Sequence, residues 1–203
     1  MSKIESWLVP LLPESGRLAL DVGANEGSCT EILAGRFSEV HAFEPNPQVA
    51  NALRTVARRC MSVSLFELAI SDGAGPVALT LYERSCHASA FPQAELDTPS
   101  RGESHATVRV PAASLDELGY PELPVDFLKI DTEGAELAVL EGAALTLREQ
   151  GPALNVEVHS RANLDACRAL LERAGYAPRH LPHPHAGVSE GHCWLICDRK
   201  ERP

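Results

Sequence analysis

The sequence has few clustered positive charges. Its 18 lysines and arginines are outnumbered by 28 aspartates and glutamates, which gives a formal net charge of −10. Basic residues adjoin only in short pairs such as Arg58-Arg59. Proteins that bind nucleic acid usually present a basic patch to the phosphates, so this charge balance argues against a broad phosphate-binding face. We therefore expect no nucleic-acid partner.

The chain also lacks a long apolar run. No stretch approaches the roughly 20 apolar residues that a helix needs to cross a bilayer. The N-terminus lacks the basic, apolar and small-residue segments of a signal peptide, so we expect a cytoplasmic location and no membrane partner. With 203 residues, of which 44% are hydrophobic and 23% charged, the composition is that of one globular domain over residues 1–203 with a substantial core.

No two of the six cysteines form a C-x-x-C pair. They are Cys29, Cys60, Cys86, Cys167, Cys193 and Cys197. In a cytosolic chain we expect reduced, mostly buried thiols. The C-terminal third also holds a group of histidines, namely His180, His183, His185 and His192. Their spacing from one another and from the last two cysteines matches no zinc site that we can name, so a solvent-exposed loop is favoured over a structural zinc.

Short apolar runs alternate with helical patterns along the chain. Strands are predicted at 18–22, up to 44, and at 64–70, 77–81, 107–110, 125–130, 153–158, 177–181 and 193–197. Helices are predicted at 28–35, from 46 or 47 to 59, at 134–141, and from 163 or 165 to 175. This alternation implies an α/β fold with a doubly wound parallel sheet. The last two strands have no helix between them, which implies that the final strand is antiparallel.

An apolar stripe marks the first residues of the chain. Trp7, Leu8, Leu11 and Leu12 follow a helical spacing that Pro10 interrupts. We expect residues 1–16 to form a helical extension that packs on the domain core. Packing over the site or against a second copy, as in a homodimer, is left open.

The first predicted strand ends in an acid and opens into a glycine turn. Asp21 closes the apolar run, and Gly23 and Gly27 bracket Asn25. Glu44 closes the next apolar run, seventeen residues after Gly27. In an open parallel sheet, ligands bind where the strands end. Glycines there allow the backbone to approach a ligand, and a carboxylate after the second strand can hold two ribose hydroxyls. The pattern predicts a site for an adenosine-containing cofactor.

The spacing of the glycines narrows the choice of cofactor. Dinucleotide sites need G-x-G-x-x-G, which is absent here, and Asp21 beside the turn would repel a pyrophosphate. The same carboxylate suits a ligand that carries an ammonium group, such as the methionine part of S-adenosylmethionine. A nicotinamide-dependent oxidoreductase is therefore disfavoured. A plain strand-to-helix turn with Asp21 as a helix cap is disfavoured too. In that case the two acids and the two glycines would all have to occupy the positions of a cofactor site by accident.

Four residues with ionisable side chains lie at the ends of the fourth and fifth strands of the predicted main sheet. Lys129 and Asp131 are two apart, as are Glu157 and His159, so each pair shares a face of its strand. We expect the fourth strand to neighbour the first, which would bring all four close to Asp21. Such a group can carry proton chemistry, or it can be a salt-bridged cluster that only orders the sheet edge.

Several motifs together resemble the FkbM family of S-adenosylmethionine-dependent methyltransferases. They are D-V-G-A-N-E-G at 21–27, A-F-E-P-N-P at 42–47, L-K-I-D-T-E-G-A-E at 128–136 with L-E-G-A at 140–143, and E-V-H at 157–159. The resemblance covers about residues 18–176, and K-I-D-x-E-G-x-E is its most specific part. The chain is compact for the family, and its histidine-rich tail has no counterpart that we recognise.

The resemblance implies a class I methyltransferase fold, a Rossmann-like doubly wound sheet that is mostly parallel with an antiparallel last strand. It implies that Asp21, Gly23, Asn25 and Gly27 surround the methionine end of the cofactor and that Glu44 holds the ribose. Ala69, Ile70 and Ser71 should border the adenine. Family members are mostly O-methyltransferases of sugars, natural products or carboxylates, so we expect a small-molecule acceptor, with the polar stretch 83–106 as the acceptor-side loop.

The catalytic residues follow from the same cluster. We expect His159 or Asp131 to be the general base and Lys129 and Glu157 to position the acceptor. Mg²⁺ between Asp131 and Glu157 is conceivable but not favoured, because Lys129 competes for the same carboxylates, and we assign no metal ligand. A non-catalytic member that binds only cofactor or a partner is the other alternative, and the intact Asp21 and Glu44 argue against it. A nucleobase N-methyltransferase would show N-P-P-Y or D-P-P-Y where this chain has D-T-E-G.

Overall fold

The computed structural model describes residues 7–82, 88–89, 104–183 and 191–199. Its eleven strands are β1 Gly16–Val22, β2 Phe37–Phe43, β3 Val63–Phe66, β4 Ala69–Ile70, β5 Gly75–Tyr82, β6 Ala88–Ser89, β7 Ser104–Ala113, β8 Val125–Ile130, β9 Ala153–His159, β10 Arg179–Pro182 and β11 His192–Cys197. Its helices are α1 Ser28–Ala34, α2 Ala50–Arg59, α3 Glu136–Glu141, α4 Ala144–Gln150 and α5 Arg161–Arg173. Within these ranges, no helix is both long and apolar enough to span a bilayer.

Seven strands form the main sheet, in the order β10-β11-β9-β8-β1-β2-β3. β1 pairs in parallel with β2 on one side and with β8 on the other, and β9 pairs in parallel with β8. β11 is antiparallel to both β9 and β10. The predicted fold class is confirmed, including the neighbouring positions of the first and fourth core strands and the antiparallel last strand.

The main sheet is covered on both faces, and all six residues of β8 are buried. The larger cluster of buried side chains includes Leu20, Leu128 and Leu154 of the sheet together with Leu140 and Leu171 of the helices. Strands buried on both faces read as continuous apolar runs, which is why these segments are readable in the sequence. The candidate site lies at the carboxyl ends of these buried strands.

The N-terminal stripe packs within the chain. The ring of Trp7 meets that of Trp194 edge to face at 5.8 Å, and Leu8 joins the same apolar cluster. The described part of the extension contains one 3₁₀ turn, Val9–Leu11, instead of an α-helix, as the proline at its second position favours. Core packing, the preferred interpretation, agrees with this arrangement. Residues 1–6 lie outside the described part.

The prediction of one strand over 64–70 is wrong. Phe66 ends β3 by accepting a hydrogen bond from the backbone N–H of Glu44, and the chain then leaves the main sheet. Ala69–Ile70 instead pairs with Ala112–Ala113 of β7 in a second sheet of order β4-β7-β5-β6. Because the chain passes from one sheet to the other here, residues 69–71 lie beside the carboxyl end of β2.

The strands predicted at 77–81 and 107–110 form the long antiparallel pair of that second sheet, from Gly75 opposite Ala112 to Tyr82 opposite Ser104. Two parts of the predicted acceptor-side loop, 83–106, belong to strands: Ala88–Ser89 in its interior, and the residues from Ser104 onward at its C-terminal end. Residues 83–87 and 90–103, the rest of that loop, lie outside the described part.

Three helices begin at residues that differ from the prediction, and one of them, α3, begins at Glu136 instead of at 134. α2 begins at Ala50, because the side chain of Asn46 accepts from the N–H of Gln48 and forms a turn before the helix. α5 begins at Arg161, because the Ser160 hydroxyl accepts from the N–H of Asn163 as an N-cap. α4 was not predicted.

The five described cysteines are free thiols, and all of them except Cys60 are buried, as expected. Cys86 lies outside the described part.

Candidate functional site

A pocket of about 810 Å³, including its open mouth, lies at the carboxyl ends of β1, β2 and β8. Six of the eight residues predicted to contact a cofactor line it. They are Gly23, Asn25, Glu44, Ala69, Ile70 and Ser71. Asp131, Thr132 and Glu133 also line the pocket, beside the glycine turn. The other two predicted residues, Asp21 and Gly27, lie behind the wall and support it.

The glycine turn after β1 is closely packed. Gly23 has φ = +77°, and a Cβ atom on it would lie 1.8 Å from the backbone oxygen of Asp131. Gly27 has φ = +90°, and a Cβ atom there would lie 2.8 Å from Cδ1 of Leu53. Both positions therefore need glycine for conformation and for space. The first lets the turn contact the loop after β8, and the second lets α2 pack against the turn.

Glu44 is fixed at the floor of the pocket. Its Oε2 accepts from the backbone N–H of Asn25 at 2.7 Å, and its Oε1 accepts from that of Asn46 at 2.8 Å. Burial raises the pKa of Glu44 to about 7, although both backbone hydrogen bonds and Lys129 oppose the shift. A carboxylate has about four acceptor positions, so two remain for ligand hydroxyls.

The second sheet supplies an apolar wall to the same pocket. Ala69 and Ile70 lie on β4, and Val77 and Leu79 on β5, and all four border the cavity. The backbone N–H of Ser71 is held by the carbonyl oxygen of Ala113, which fixes the end of this wall. The pocket therefore has an apolar side on the second sheet and a polar side at Glu44 and the glycine turn.

Asp21 and Lys129 form a buried pair under the turn. The ammonium of Lys129 lies 3.1 Å from Oδ1 of Asp21 and 3.4 Å from Oδ2 of Asp131, and it donates to the carbonyl oxygen of Gly23. The other oxygen of Asp21 accepts from the hydroxyl of Thr30 at 2.7 Å. Asp21 thus does not line the pocket itself; it holds Lys129, which in turn contacts Asp131 and the backbone of Gly23. Burial alone would raise the pKa of Asp131, but Lys129 and His159 lower it below its usual range.

His159 lies among carboxylates at the end of β9. Its Nδ1 is 2.8 Å from Oε1 of Glu136, and its Nε2 lies 3.5 Å from Glu133, 3.7 Å from Asp131 and 3.9 Å from Glu157. Burial alone would lower the pKa of His159, but the carboxylates, led by Glu133 and Glu136, raise it to about 10. Burial and the nearby Asp131 raise the pKa of Glu157. The structure therefore brings together all four predicted catalytic residues.

His192 is part of the same group, and the expectation of a solvent-exposed loop is wrong for it. Antiparallel pairing of β11 with β9 places His192 opposite His159, where it is 7% exposed. Its Nε2 lies 2.7 Å from Oε1 of Glu157, and its ring stacks on that of His159 at 4.8 Å. Burial and the charge of His159 lower the pKa of His192 to about 4. His185 lies outside the described part.

Three further residues of the cluster, Glu133, Glu136 and His192, were not predicted. The two glutamates belong to the K-I-D-x-E-G-x-E motif, so their repeated acidity was a visible signal. Glu136 is fully buried and accepts from the N–H of Gly134 and from the side chain of Asn163, both at 2.7 Å. A buried glutamate with three partners is a fixed element of the site.

Solved structures with a similar fold include several methyltransferases. The methyltransferase FkbM of Methylobacillus flagellatus is 19% identical, with a TM-score of 0.62 over 93% of this chain and 45% of that chain, so this chain spans less than half of that protein. An rRNA methylase of Streptococcus thermophilus is 13% identical, with a TM-score of 0.53 over 96% and 93%. Fibrillarin of Aeropyrum pernix, in complex with natively bound S-adenosyl-L-methionine, is 14% identical, with a TM-score of 0.52 over 93% and 68%.

No curated relative matches the chain in sequence. A family model does match: the methyltransferase FkbM domain aligns with residues 21–178, from Asp21 near the end of β1 to the residue before β10. The match covers most of the chain and every residue assigned to the site from the sequence. The chain therefore belongs to the FkbM methyltransferase family, as its motifs predicted.

Proposed function

We propose that the chain transfers the methyl group of S-adenosylmethionine to a hydroxyl oxygen of a small molecule. The arrangement of Glu44 carries the proposal. Its two oxygens are each held by one backbone N–H at the carboxyl end of β2, and each keeps a position for a ribose hydroxyl. Carboxylates in this place recognise the ribose of adenosine cofactors.

The rest of the pocket suits the remaining parts of this cofactor. The apolar wall formed by Ala69, Ile70 and Leu79 fits the adenine ring. The methionine part would extend along the turn at Gly23 toward Thr132. The hydroxyl of Thr132 is buried beside the pocket without a hydrogen-bond partner among the described residues, so a polar atom of the ligand would satisfy it.

The protein's main task in such a reaction is alignment, because the sulfonium methyl is already activated. Holding the acceptor oxygen in line with that methyl can contribute up to ~7–11 kcal/mol. We assign removal of the hydroxyl proton to Asp131, because it is the predicted catalytic residue that lines the pocket. His159 and Lys129 hold its two oxygens in place from behind, and Glu157 supports His159.

The charge of the site favours a neutral acceptor. Four carboxylates lie within 3.9 Å of the nitrogens of His159, and they would repel a carboxylate substrate. The net charge of −10 likewise disfavours a polyanion such as RNA. The rRNA methylase of S. thermophilus is similar in fold alone, so it gives no reason to prefer an RNA acceptor. RNA and protein acceptors are therefore included in the experiment below as alternatives.

Isothermal titration with S-adenosylhomocysteine tests the cofactor assignment. Wild-type protein should bind with micromolar affinity, and Glu44→Ala should weaken binding at least tenfold, because two hydrogen bonds to a charged group are lost. Glu172→Ala, an exposed glutamate of α5, is the matched control and should bind normally. Absence of binding to folded wild-type protein would overturn the proposal.

Transfer of a labelled methyl group tests the acceptor. Sugars and hydroxylated natural products should be methylated, whereas small carboxylic acids, RNA and protein should not. Asp131→Asn should lower turnover by about 10²–10⁴-fold while keeping S-adenosylhomocysteine affinity, as expected for loss of a general base. Cofactor binding without transfer to any acceptor class would favour the non-catalytic alternative instead.

A further inference from the structure

Two imidazoles and a carboxylate converge behind the wall of the pocket. Oε1 of Glu157 lies 2.7 Å from Nε2 of His192 and 3.9 Å from Nε2 of His159. One ligand atom from each of these three side chains falls within 4.8 Å of the other two. His183, whose ring lies 4.4 Å from that of His192, has its Nε2 3.7 Å from the same glutamate oxygen. This spacing suits donor atoms arranged around one ion.

The orientation of His159 is fixed as in a metal ligand. Metal-binding histidines almost always engage a carboxylate or carbonyl through the ring nitrogen that does not hold the ion. Here Nδ1 of His159 meets Oε1 of Glu136 at 2.8 Å, which leaves Nε2 directed at the carboxylate cluster. Glu136 is itself fully buried and held by Gly134 and Asn163. The imidazole is therefore positioned by an outer layer of residues.

The composition of the group points the same way. His192 is 7% exposed, and it is Nε2 of its ring that faces Glu157, at 2.7 Å from Oε1. Three imidazoles lie ring to ring beside four carboxylates, a group that needs positive charge within it. A proton on His159 supplies that charge in the metal-free protein, and a bound metal ion would take the place of that proton. The ammonium of Lys129 is already engaged by Asp21 and Asp131.

We propose that Glu157, His159 and His192 bind one divalent transition-metal ion, of which Zn²⁺ is the best fit. Two histidines and a glutamate are an established zinc ligand set, and imidazole also suits Co²⁺ and Fe²⁺. Mg²⁺ prefers oxygen ligands only, so it is the poorer fit. This site differs from the Mg²⁺ position considered from the sequence, which used Asp131 and Glu157 alone.

The ion would lie next to the reaction that we propose. Nε2 of His159 is 3.7 Å from Asp131 and 3.5 Å from Glu133, and both of these residues line the pocket. None of the three ligands lines the pocket, so an ion held by them would act on the reaction through Asp131 and Glu133. That role rests on the proposed function, whereas binding of the metal does not.

Metal binding is tested on chelator-stripped, full-length protein. Isothermal titration with Zn²⁺ and visible absorbance with Co²⁺ should both give one ion per chain. His192→Ala should abolish this binding, and Glu136→Gln should weaken it by about 10–100-fold, because it acts only through His159. His180→Ala, on the adjacent strand β10 and exposed, is the matched control and should bind one ion like the wild type.

A second group, Asp131, Glu133 and His159, is the competing position for an ion. If Glu133→Gln abolishes binding and His192→Ala keeps it, the ion lies there and the proposed ligand set is wrong. No Zn²⁺ or Co²⁺ binding to the wild type would overturn the metal site. Titration with S-adenosylhomocysteine, run on every variant, reports correct folding and separates this failure from failure of the proposed methyl transfer.

Discussion

The ammonium of Lys129 lies 3.1 Å from Oδ1 of Asp21, and both side chains are buried under the glycine turn. The pair joins β1 to β8, whose parallel register places these two residues opposite each other. Lys129 also contacts Asp131 and the carbonyl oxygen of Gly23, so one cation fixes two carboxylates and the turn between them. Charge pairing across adjacent strands thus sets the shape of the pocket wall.

Lys129→Met should destabilise the fold strongly. The substitution leaves Asp21 as a buried carboxylate without its cation, and breaking one partner of a buried ion pair costs about 3–5 kcal/mol. The free energy of unfolding, measured in urea, checks this value. The double variant Asp21→Asn with Lys129→Met should lose less than the sum of the single losses. Additive losses would contradict a coupled pair.

Thr30→Val should lower the free energy of unfolding by less than Lys129→Met does, because it removes one hydrogen bond to the same carboxylate, Asp21. The hydroxyl of Thr30 donates to Oδ2 of Asp21 at 2.7 Å in a fully buried position. Removing a hydrogen bond to a buried charge costs about 1.5–3 kcal/mol. Thr55→Val is the matched control, because that hydroxyl is exposed and donates to the carbonyl oxygen of Asn51 in its own helix. This substitution should change stability by less than about 0.5 kcal/mol. Equal effects of the two substitutions would contradict the role of Thr30.

Gly23→Ala should lower thermal stability and abolish binding of S-adenosylhomocysteine. The new Cβ atom would lie 1.8 Å from the backbone oxygen of Asp131, so the turn and the loop after β8 must separate. The residue also has φ = +77°, which strains any side chain. Gly73→Ala, whose Cβ atom would meet nothing within 4 Å, is the control and should behave like the wild type. Normal cofactor affinity in Gly23→Ala would contradict the assigned pocket.

The positions of the residues around the glycine turn could be predicted from the sequence, because the pattern that marks them lies within one short segment of the chain. Asp21, Gly23 and Glu44 stand within one strand-turn-helix-strand unit, where apolar runs set the strand ends and the end of a parallel strand sets the ligand side. The adjacency of β1 and β8 follows from the usual order of doubly wound sheets, which is why Lys129 could be expected near Asp21. Distances and partners were not predictable, because they depend on how side chains pack.

The remaining errors come from pairing between distant parts of the chain. Ala69 leaves the main sheet because Ala112, more than forty residues later, offers it a partner strand. His192 is buried because β11 pairs with β9, which places it opposite His159. Neither pairing has a short sequence signature, since a strand's register depends on its partner as much as on its own residues.

The affinity for S-adenosylhomocysteine should rise as the pH rises through 7. Two backbone N–H groups and two ribose hydroxyls all donate to Glu44, so the ligand prefers the ionised carboxylate. Because burial raises the pKa of Glu44 to about 7, the free protein is largely protonated there at pH 6, and affinity should fall by up to about tenfold per pH unit below 7. Titration calorimetry from pH 6 to 8 measures this slope.

Stability of the ligand-free protein should change in the opposite direction. The folded protein holds the proton of Glu44 more tightly than the unfolded chain, so this contribution is complete below pH 4.5 and is lost as the pH rises to about 7. Glu44→Gln cannot titrate, so it should remove this part of the stability change and flatten the binding profile at a weaker affinity. Parallel pH profiles in the wild type and in Glu44→Gln would mean that another group controls binding, and the assignment of Glu44 to the ribose would then fail.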